Sequence, residues 1–189
     1  MFMSKTNKKG FTLIELLIVI GIISILAGIV LVAVNPAVQF GKANDSERKS
    51  EVGTLLSAIY QYETSPSARG NLPICTINAV PTPIPECDPD ISGVGVGSGG
   101  FEGAIEFGTA ATSYDCSSSL IPSYLREIPI DPASAYNAGA TGYWVCQHID
   151  NGVSRVYVIA EGAEVYTDDG GCEVPGGVLP LAPAMCVSG

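Results

Sequence analysis

One apolar stretch near the N-terminus constrains this chain more than any other feature. From Phe11 to Val34 the only polar or charged residues are Thr12, Glu15 and Ser24. A helix of this length measures about 36 Å, and the hydrocarbon core of a bilayer is about 30 Å thick. The stretch therefore predicts a helix that crosses a membrane with some tilt.

The far end of the stretch does not look like the end of a secretory signal peptide. Such a peptide has a shorter apolar region that is followed by a small-residue cleavage site. The residues Ala33-Val34-Asn35-Pro36 provide no such site, so we expect the helix to be retained there. Basic residues flank the helix on both sides, so the positive-inside rule alone leaves its orientation open.

Six cysteines, all beyond the apolar stretch, bear on the orientation. Their even number and wide spacing indicate disulfides in an oxidising compartment, which places the C-terminal part outside the cytoplasm. Zinc is the alternative, but no C-x-x-C occurs and His148 is the only histidine. The sequence leaves the pairing open, and we favour the local pairs Cys75–Cys87 and Cys172–Cys186, which leave Cys116–Cys146.

The charge of the chain argues against one class of partner. The sequence carries 9 basic and 19 acidic residues, a formal net charge of -10. Nucleic-acid phosphates would be repelled by such a surface, so nonspecific nucleic-acid binding is disfavoured. Solubility is the plain interpretation of the acidic charge.

Helical periodicity resumes after the apolar stretch. Asn35-Pro36 interrupts the pattern, since proline disfavours helix in the residue before it, and we expect a kink near Pro36. An amphipathic continuation then shows an apolar stripe of Val52, Leu55, Leu56, Ile59 and Tyr60. The charged residues of this segment are predicted to lie mainly on wetter faces; they are Asp45, Glu47, Lys49 and Glu51.

Residues 65–100 are rich in proline and glycine and predict a long connecting loop. The run from Gly95 to Gly100 formally fits G-x-G-x-x-G. Dinucleotide binding needs a strand before this motif and a helix after it, and the flanking residues support neither. A flexible loop is the preferred interpretation.

The second half of the chain contains the strand signals. Two β-branched and aromatic runs, Tyr143–His148 and Ser154–Ile159, flank the turn Asp150-Asn151-Gly152 and predict a hairpin. Weaker candidates are strands at Ala163–Tyr166 and Ala104–Phe107 and a short helix at Ser118–Leu125. The predicted fold class is α+β: a long N-terminal helix, with a membrane-spanning first half, packed on a small antiparallel sheet with disulfide-stapled loops.

The start of the apolar stretch resembles a known signal. Lys8-Lys9-Gly10-Phe11-Thr12-Leu13-Ile14-Glu15, followed by the apolar helix, is similar to the type III signal of type IV pilins and pseudopilins. The resemblance implies that a prepilin peptidase cuts between Gly10 and Phe11 and methylates the new Phe11 amine. It also implies that Glu15 pairs with the amine of a neighbouring subunit during assembly.

Glu15 is also unusual on physical grounds alone. A carboxylate at the bilayer centre costs about 2.5–3.5 kcal/mol on insertion scales, so it is a functional candidate. The alternative is that Glu15 lies near the membrane face and costs little. Inside a bundle of apolar helices an unpaired carboxylate is costly, so Glu15 needs a cationic partner. A neighbouring subunit can supply that partner only if it is offset along the filament axis. Glu15 would then set the axial register between subunits.

A second resemblance lies in the C-terminal half. Tyr124-Leu125-Arg126-Glu127-Ile128-Pro129-Ile130-Asp131-Pro132 resembles a segment of type II secretion major pseudopilins and related pilins, although Ala133-Ser134 replaces the Trp-Gly that follows there. Some of those pseudopilins bind calcium in a C-terminal loop. Here Asp168 and Asp169 precede two glycines, which makes them weak calcium candidates, and a solvated turn is preferred.

These features together predict four segments: a cleaved leader at 1–10, a transmembrane or filament-core helix at 11–34, its amphipathic continuation at 35–63, and a pilin-like head at 64–189. The expected function is a structural subunit of an extracytoplasmic filament, a pilus or pseudopilus. The alternatives are a minor pilin that acts as an adhesin or binding tip, and a pilin-anchored enzyme. No catalytic residue and no cofactor are predicted.

The predicted partners and location follow from the same resemblance. The partners are a prepilin peptidase, other pilin or pseudopilin subunits and an inner-membrane assembly platform. The chain is expected to cross the cytoplasmic membrane once, with its N-terminus inside, and then to enter the filament. Motility, adhesion, DNA uptake and secretion filaments share this architecture, so the sequence leaves the particular system and the major or minor role open.

Overall fold

The computed structural model describes residues 10–87 and 103–162, and the backbone of three short strand segments at 173–174, 177–178 and 185–188. Three helices and eight strands lie within these residues. The chain falls into two units, Met1–Phe40 and Gly41–Gly189, which are described separately.

The first unit is dominated by helix α1, Leu13–Val34. Every described side chain from Phe11 to Val34 is exposed, and apolar residues lie on all sides of the helix. The helix ends at Asn35, whose left-handed backbone (φ 41°, ψ 78°) stops the hydrogen-bonding pattern. Helix α2 begins at the next residue, so the helical pattern is interrupted at the predicted place.

Helix α2, Pro36–Glu63, carries the apolar stripe that the sequence predicted. Val52, Leu55, Leu56 and Ile59 are buried in the head. The prediction that Asp45 lies on a wetter face is wrong, because Asp45 is 1% exposed and its partner Arg48 is fully buried. Asp45 and Arg48 lie seven residues before Val52 and Leu55. They therefore share the helix face that carries the stripe, which explains their burial.

The head is built on a four-stranded antiparallel sheet in the order β3-β4-β5-β8. The central strands β4, Tyr143–Asp150, and β5, Val153–Ala160, form the predicted hairpin. Both turn residues, Asn151 (φ 51°) and Gly152 (φ 81°), adopt the positive φ that a two-residue hairpin turn requires. The outer strands are β3, Ile105–Glu106, and β8, Met185–Ser188. The α+β prediction is confirmed.

The two faces of the sheet enter different cores. Alternate residues of the hairpin, including Tyr143, Val145 and Val158, pack with the buried residues of α2. The opposite face carries a smaller cluster of Cys87, Cys146, Tyr157 and Ile159. Successive residues of a strand therefore point alternately into the core under α2 and into the smaller cluster on the opposite face.

The remaining elements are short. The segment predicted as a long loop contains a hairpin of β1, Cys75–Ile77, and β2, Val80–Thr82, which the sequence analysis missed. Helix α3 covers only Ser117–Leu120, so the predicted helix at Ser118–Leu125 was too long. Strands β6, Glu173–Val174, and β7, Gly177–Val178, pair with each other. The predicted strand at Ala163–Tyr166 and the glycine run at 95–100 lie outside the described residues.

Two disulfides tie the head together, Cys75–Cys116 and Cys87–Cys146. The favoured pairs Cys75–Cys87 and Cys116–Cys146 are therefore wrong. The physical reason is that the chain changes cores between Cys75 and Cys87: Cys75 and Cys116 lie in the core under α2, whereas Cys87 and Cys146 lie on the opposite face. The third predicted pair, Cys172–Cys186, includes a residue outside the described part of the chain.

Candidate functional site

The first candidate site is the start of α1, where the sequence predicts processing. Gly10 and Phe11 precede the helix and are exposed. A methyl group added at Gly10 would meet no atom within 4 Å. The peptide bond between these two residues is therefore accessible within the described part of the chain.

Glu15 lies in the first turn of α1 and forms a capping box with Thr12. The Thr12 backbone N–H donates to Glu15 Oε2 at 2.8 Å, and the Thr12 hydroxyl donates to the same oxygen at 2.7 Å. The Glu15 N–H donates in turn to Thr12 Oγ1 at 3.3 Å. These bonds satisfy backbone groups that a helix terminus otherwise leaves unpaired.

The capping box was missed in the sequence analysis, although its signal is local. Thr followed three residues later by Glu, immediately before an apolar run, is the known sequence signature. The box holds the Glu15 carboxylate at the helix N-terminus, where the helix dipole favours negative charge. The residue predicted to act between subunits thus also starts its own helix.

The apolar surface of α1 needs a cover that the chain itself does not provide among the described residues. The segment Leu13–Leu31 is long and apolar enough to cross a membrane, by length and composition. Phe11 is 87% exposed and Leu13 is 91% exposed. Contiguous apolar surface of this extent marks contact with a membrane or with other proteins.

A second site lies within the head, where charged groups are buried beneath α2. Arg48 donates to both oxygens of Asp131, from Nε at 2.7 Å and from Nη2 at 2.8 Å. Its Nη1 donates to Asp45 at 2.8 Å. The Ala133 backbone N–H also donates to Asp131 at 2.8 Å. Hydrogen bonds from Arg48 to Asp131 raise the pKa of the guanidinium further above its ordinary value, so Arg48 stays charged.

Two glycines lie so close to this ion pair that a side chain at either position would collide with it or with a neighbouring residue. A Cβ at Gly162 would lie 2.9 Å from Asp131 Oδ2 and 3.0 Å from Arg48 Nη2. Gly142 has φ +80°, and a Cβ there would lie 2.9 Å from the Tyr136 ring. Either side chain would push against the ion pair or its wall, so both positions favour glycine.

Glu51 lies beside this cluster and accepts a hydrogen bond from the Tyr143 hydroxyl. Burial raises the pKa of the Glu51 carboxyl. The negative charges of Glu47 and Asp131 raise it too, whereas the Tyr143 hydrogen bond and Arg48 lower it. The folded head therefore binds a proton at Glu51 more readily than the unfolded chain does.

The substitution Glu51→Gln is expected to raise the thermal unfolding temperature at neutral pH. A raised folded-state pKa means that ionisation of Glu51 opposes folding, and the amide mimics the protonated acid. The advantage should disappear as the pH falls below the ordinary carboxyl pKa of 4.5. Thermal unfolding of both proteins across this range measures the effect, with exposed Glu127→Gln as the control. A variant that is less stable at neutral pH contradicts the prediction.

The residues described offer little for a metal. No group of three or more His, Cys, Asp and Glu side chains among them is arranged to hold an ion. Asp168 and Asp169, the calcium candidates, lie outside the described residues, as does Cys172. Cys186 lies in β8, where its backbone pairs with Ile159.

Comparison with known proteins bears on the first site. The family model of the prokaryotic N-terminal methylation motif matches residues 5–31, and this motif is the type IV prepilin signal. No curated protein and no solved structure matches the chain.

The motif and the helix together indicate a class of protein. They support a type IV pilin-like precursor, and they imply processing by a prepilin peptidase and assembly with other pilins. The apolar helix with this motif is consistent with a membrane-anchored protein. The pilin-type motif also suggests a structural subunit.

Proposed function

We propose that this chain is a structural subunit of an extracytoplasmic filament, a pilus or pseudopilus, and that it assembles through its N-terminal helix. The observation that carries the proposal is the combination of the prepilin signal at residues 5–31 with an apolar helix whose described side chains are all exposed. Lipid covers this surface before assembly, and the helices of neighbouring subunits cover it afterwards.

Processing prepares the helix for assembly. Cleavage between Gly10 and Phe11 removes the basic leader and makes Phe11 the new N-terminus, whose amine is then methylated. Thr12, the residue after Phe11, is the N-cap of α1, so the mature chain keeps its N-cap. The peptidase therefore changes the charge and length of the terminus without removing the capping box.

Glu15 provides the contact between subunits. Both hydrogen bonds from Thr12 go to Oε2, so Oε1 can receive the amine of an adjacent Phe11. Within apolar surroundings an unpaired carboxylate costs several kcal/mol, roughly the cost of one broken buried ion pair. Subunits offset along the axis by the distance between Phe11 and Glu15 satisfy both charges, and this sets the filament register.

Disulfides in the head fit an extracytoplasmic location. Cys75–Cys116 and Cys87–Cys146 both lie in the second unit, beyond the apolar helix. Disulfides of this structural kind persist in oxidising compartments and are rare in the cytoplasm. The disulfides therefore support a topology with the head outside the cytoplasmic membrane and the leader inside it.

The substitution Gly10→Val is expected to block leader removal and filament formation. Gly10 touches nothing in the described chain, so a larger side chain there acts on the peptidase and not on the fold. Mass spectrometry of protein from sheared filaments should show a parent chain that begins at methylated Phe11. Gly21→Val, which also meets no atom within 4 Å, is the control and should be cleaved normally.

Two results bear directly on the proposal. Mature chain that remains in the membrane fraction, with none in sheared filaments, contradicts the filament role. Immunogold labelling along the filament length supports a major subunit, and labelling confined to the tips supports a minor one.

A further inference from the structure

The segment Tyr124–Pro132, which the sequence analysis singled out, contacts α2 at two distant points. Near one end the Tyr124 ring meets the Tyr62 ring edge-on, with centroids 5.7 Å apart. Near the other end Asp131 receives the guanidinium of Arg48. Since Tyr62 follows Arg48 on the helix and Asp131 follows Tyr124 in the segment, the two run antiparallel.

A shift of the segment along α2 would break its contact with Arg48. Arg48 and Tyr62 are separated by fourteen residues of helix, a rise of about 21 Å. The seven steps from Tyr124 to Asp131 reach at most about 23–25 Å when extended, and the backbone bends midway, so side chains complete the span. A shift by one helical turn, about 5.4 Å, exceeds the length of the hydrogen bonds between Arg48 and Asp131 and would break them.

Apolar contacts between the two ends are less selective. Leu125 is 6% exposed and Ile128 packs against the main core. Such side chains gain similar energy in several registers, because apolar attraction is nondirectional. The bidentate contact between Arg48 and Asp131 is directional. A wrong register would separate the buried Asp131 carboxylate from its guanidinium and leave Arg48 with Asp45 alone.

We propose that Arg48 and Asp131 form a latch that fixes the segment Tyr124–Pro132 against α2 in a single register. The segment is then an internal clasp of the head, and the latch works whether or not the chain forms filaments. Ala133, which stands where the resembling segments have Trp, contributes its backbone N–H to Asp131. The absence of Trp-Gly therefore leaves the latch intact.

Limited trypsin digestion of the full chain in detergent tests the latch, because Arg126 lies exposed within the clasp. Arg69, exposed after the end of α2, reports on the rest of the head. In Arg48→Met, cleavage after Arg126 is expected to rise by about tenfold or more, while cleavage after Arg69 changes less than about threefold. Fragments are resolved under reducing conditions, because Cys87–Cys146 joins the two pieces.

Two further variants separate a latch from simple stabilisation. Arg48→Lys keeps the charge without the planar fork, and cleavage after Arg126 should lie between those of the parent and Arg48→Met. Arg48→Met combined with Asp45→Asn and Asp131→Leu removes every charge of this ion-pair cluster, so its unfolding temperature should return to within about 3 °C of the parent. Its Arg126 site should nevertheless remain more sensitive than in the parent.

Each alternative outcome would overturn the latch. Equal increases at Arg126 and Arg69 in Arg48→Met would mean that the ion pair only supports global stability. Parental protection of Arg126 in the triple variant would mean that apolar contacts alone select the register. Arg155→Met removes an exposed arginine from β5 and serves as the control, with no change expected at either site.

Discussion

The substitution Glu15→Val is expected to leave cleavage after Gly10 intact and to reduce the chain in sheared filaments by about tenfold or more. The valine removes the carboxylate that we propose pairs with the Phe11 amine of an adjacent subunit, so that amine is left unpaired among apolar helices. Quantitative blotting of the membrane and filament fractions measures the effect, and the mature N-terminus is checked by mass spectrometry.

The capping box makes a sharper control possible. Glu15→Gln keeps an oxygen that can accept the Thr12 N–H, since Gln also serves in capping boxes, but it removes the negative charge. Thr12→Ala removes the hydroxyl of the cap and keeps the charge. If pairing with an amine is decisive, Glu15→Gln fails to assemble. Assembly at the parental level by Glu15→Gln would instead assign the importance of Glu15 to capping.

Removing either disulfide is expected to lower the free energy of unfolding by about 4 kcal/mol. The bonds join residues separated by 41 and 59 positions, and closing loops of this size restricts the unfolded chain strongly. Alanine pairs at 75 and 116, or at 87 and 146, suit the experiment because both sites are buried in apolar clusters. Urea unfolding of the full chain in detergent measures the change.

Reduction of the parent protein is the matching control for these variants. It should destabilise the head by at least as much as either alanine pair does. Peptide mapping under non-reducing conditions tests the pairing itself, and a peptide that links Cys75 to Cys87 would contradict the connectivity. A loss below about 1 kcal/mol in both alanine pairs would show that loop closure contributes little here.

Features that depend on neighbouring residues were predictable from the sequence. The apolar composition of α1, the interruption at Asn35-Pro36 and the hairpin turn at Asn151-Gly152 each arise from local backbone preferences. The capping box is equally local. It was overlooked because the sequence interpretation did not consider Thr12 as the N-cap of this helix.

Features that depend on the folded topology were not predictable in the same way. Arg48 and Asp131 are 83 residues apart, and no local pattern connects them. The burial of Arg48 could have been predicted, because Arg48 lies on the face of α2 that carries the apolar stripe. Its counterion could be identified only once the segment Tyr124–Pro132 was seen to run along the helix.

The disulfide pairing failed for a related reason. Cysteines close in sequence were expected to pair, but the hairpin of β1 and β2 lies between Cys75 and Cys87. The chain then continues beside β4, where the Cys87 N–H donates to the Gln147 carbonyl at 2.8 Å. Which face of a sheet a cysteine reaches depends on this path, and sequence spacing does not report it.

The overlap of the two disulfides has a consequence for resistance to proteolysis. Every peptide bond between Cys75 and Cys146 lies inside at least one disulfide-closed loop, so a single proteolytic nick there leaves both fragments covalently joined. Arg69 lies before this span and is exposed. A cut at that position would instead break the covalent link between α2 and the rest of the head, and only the packing of α2 in the core would then hold the two fragments together.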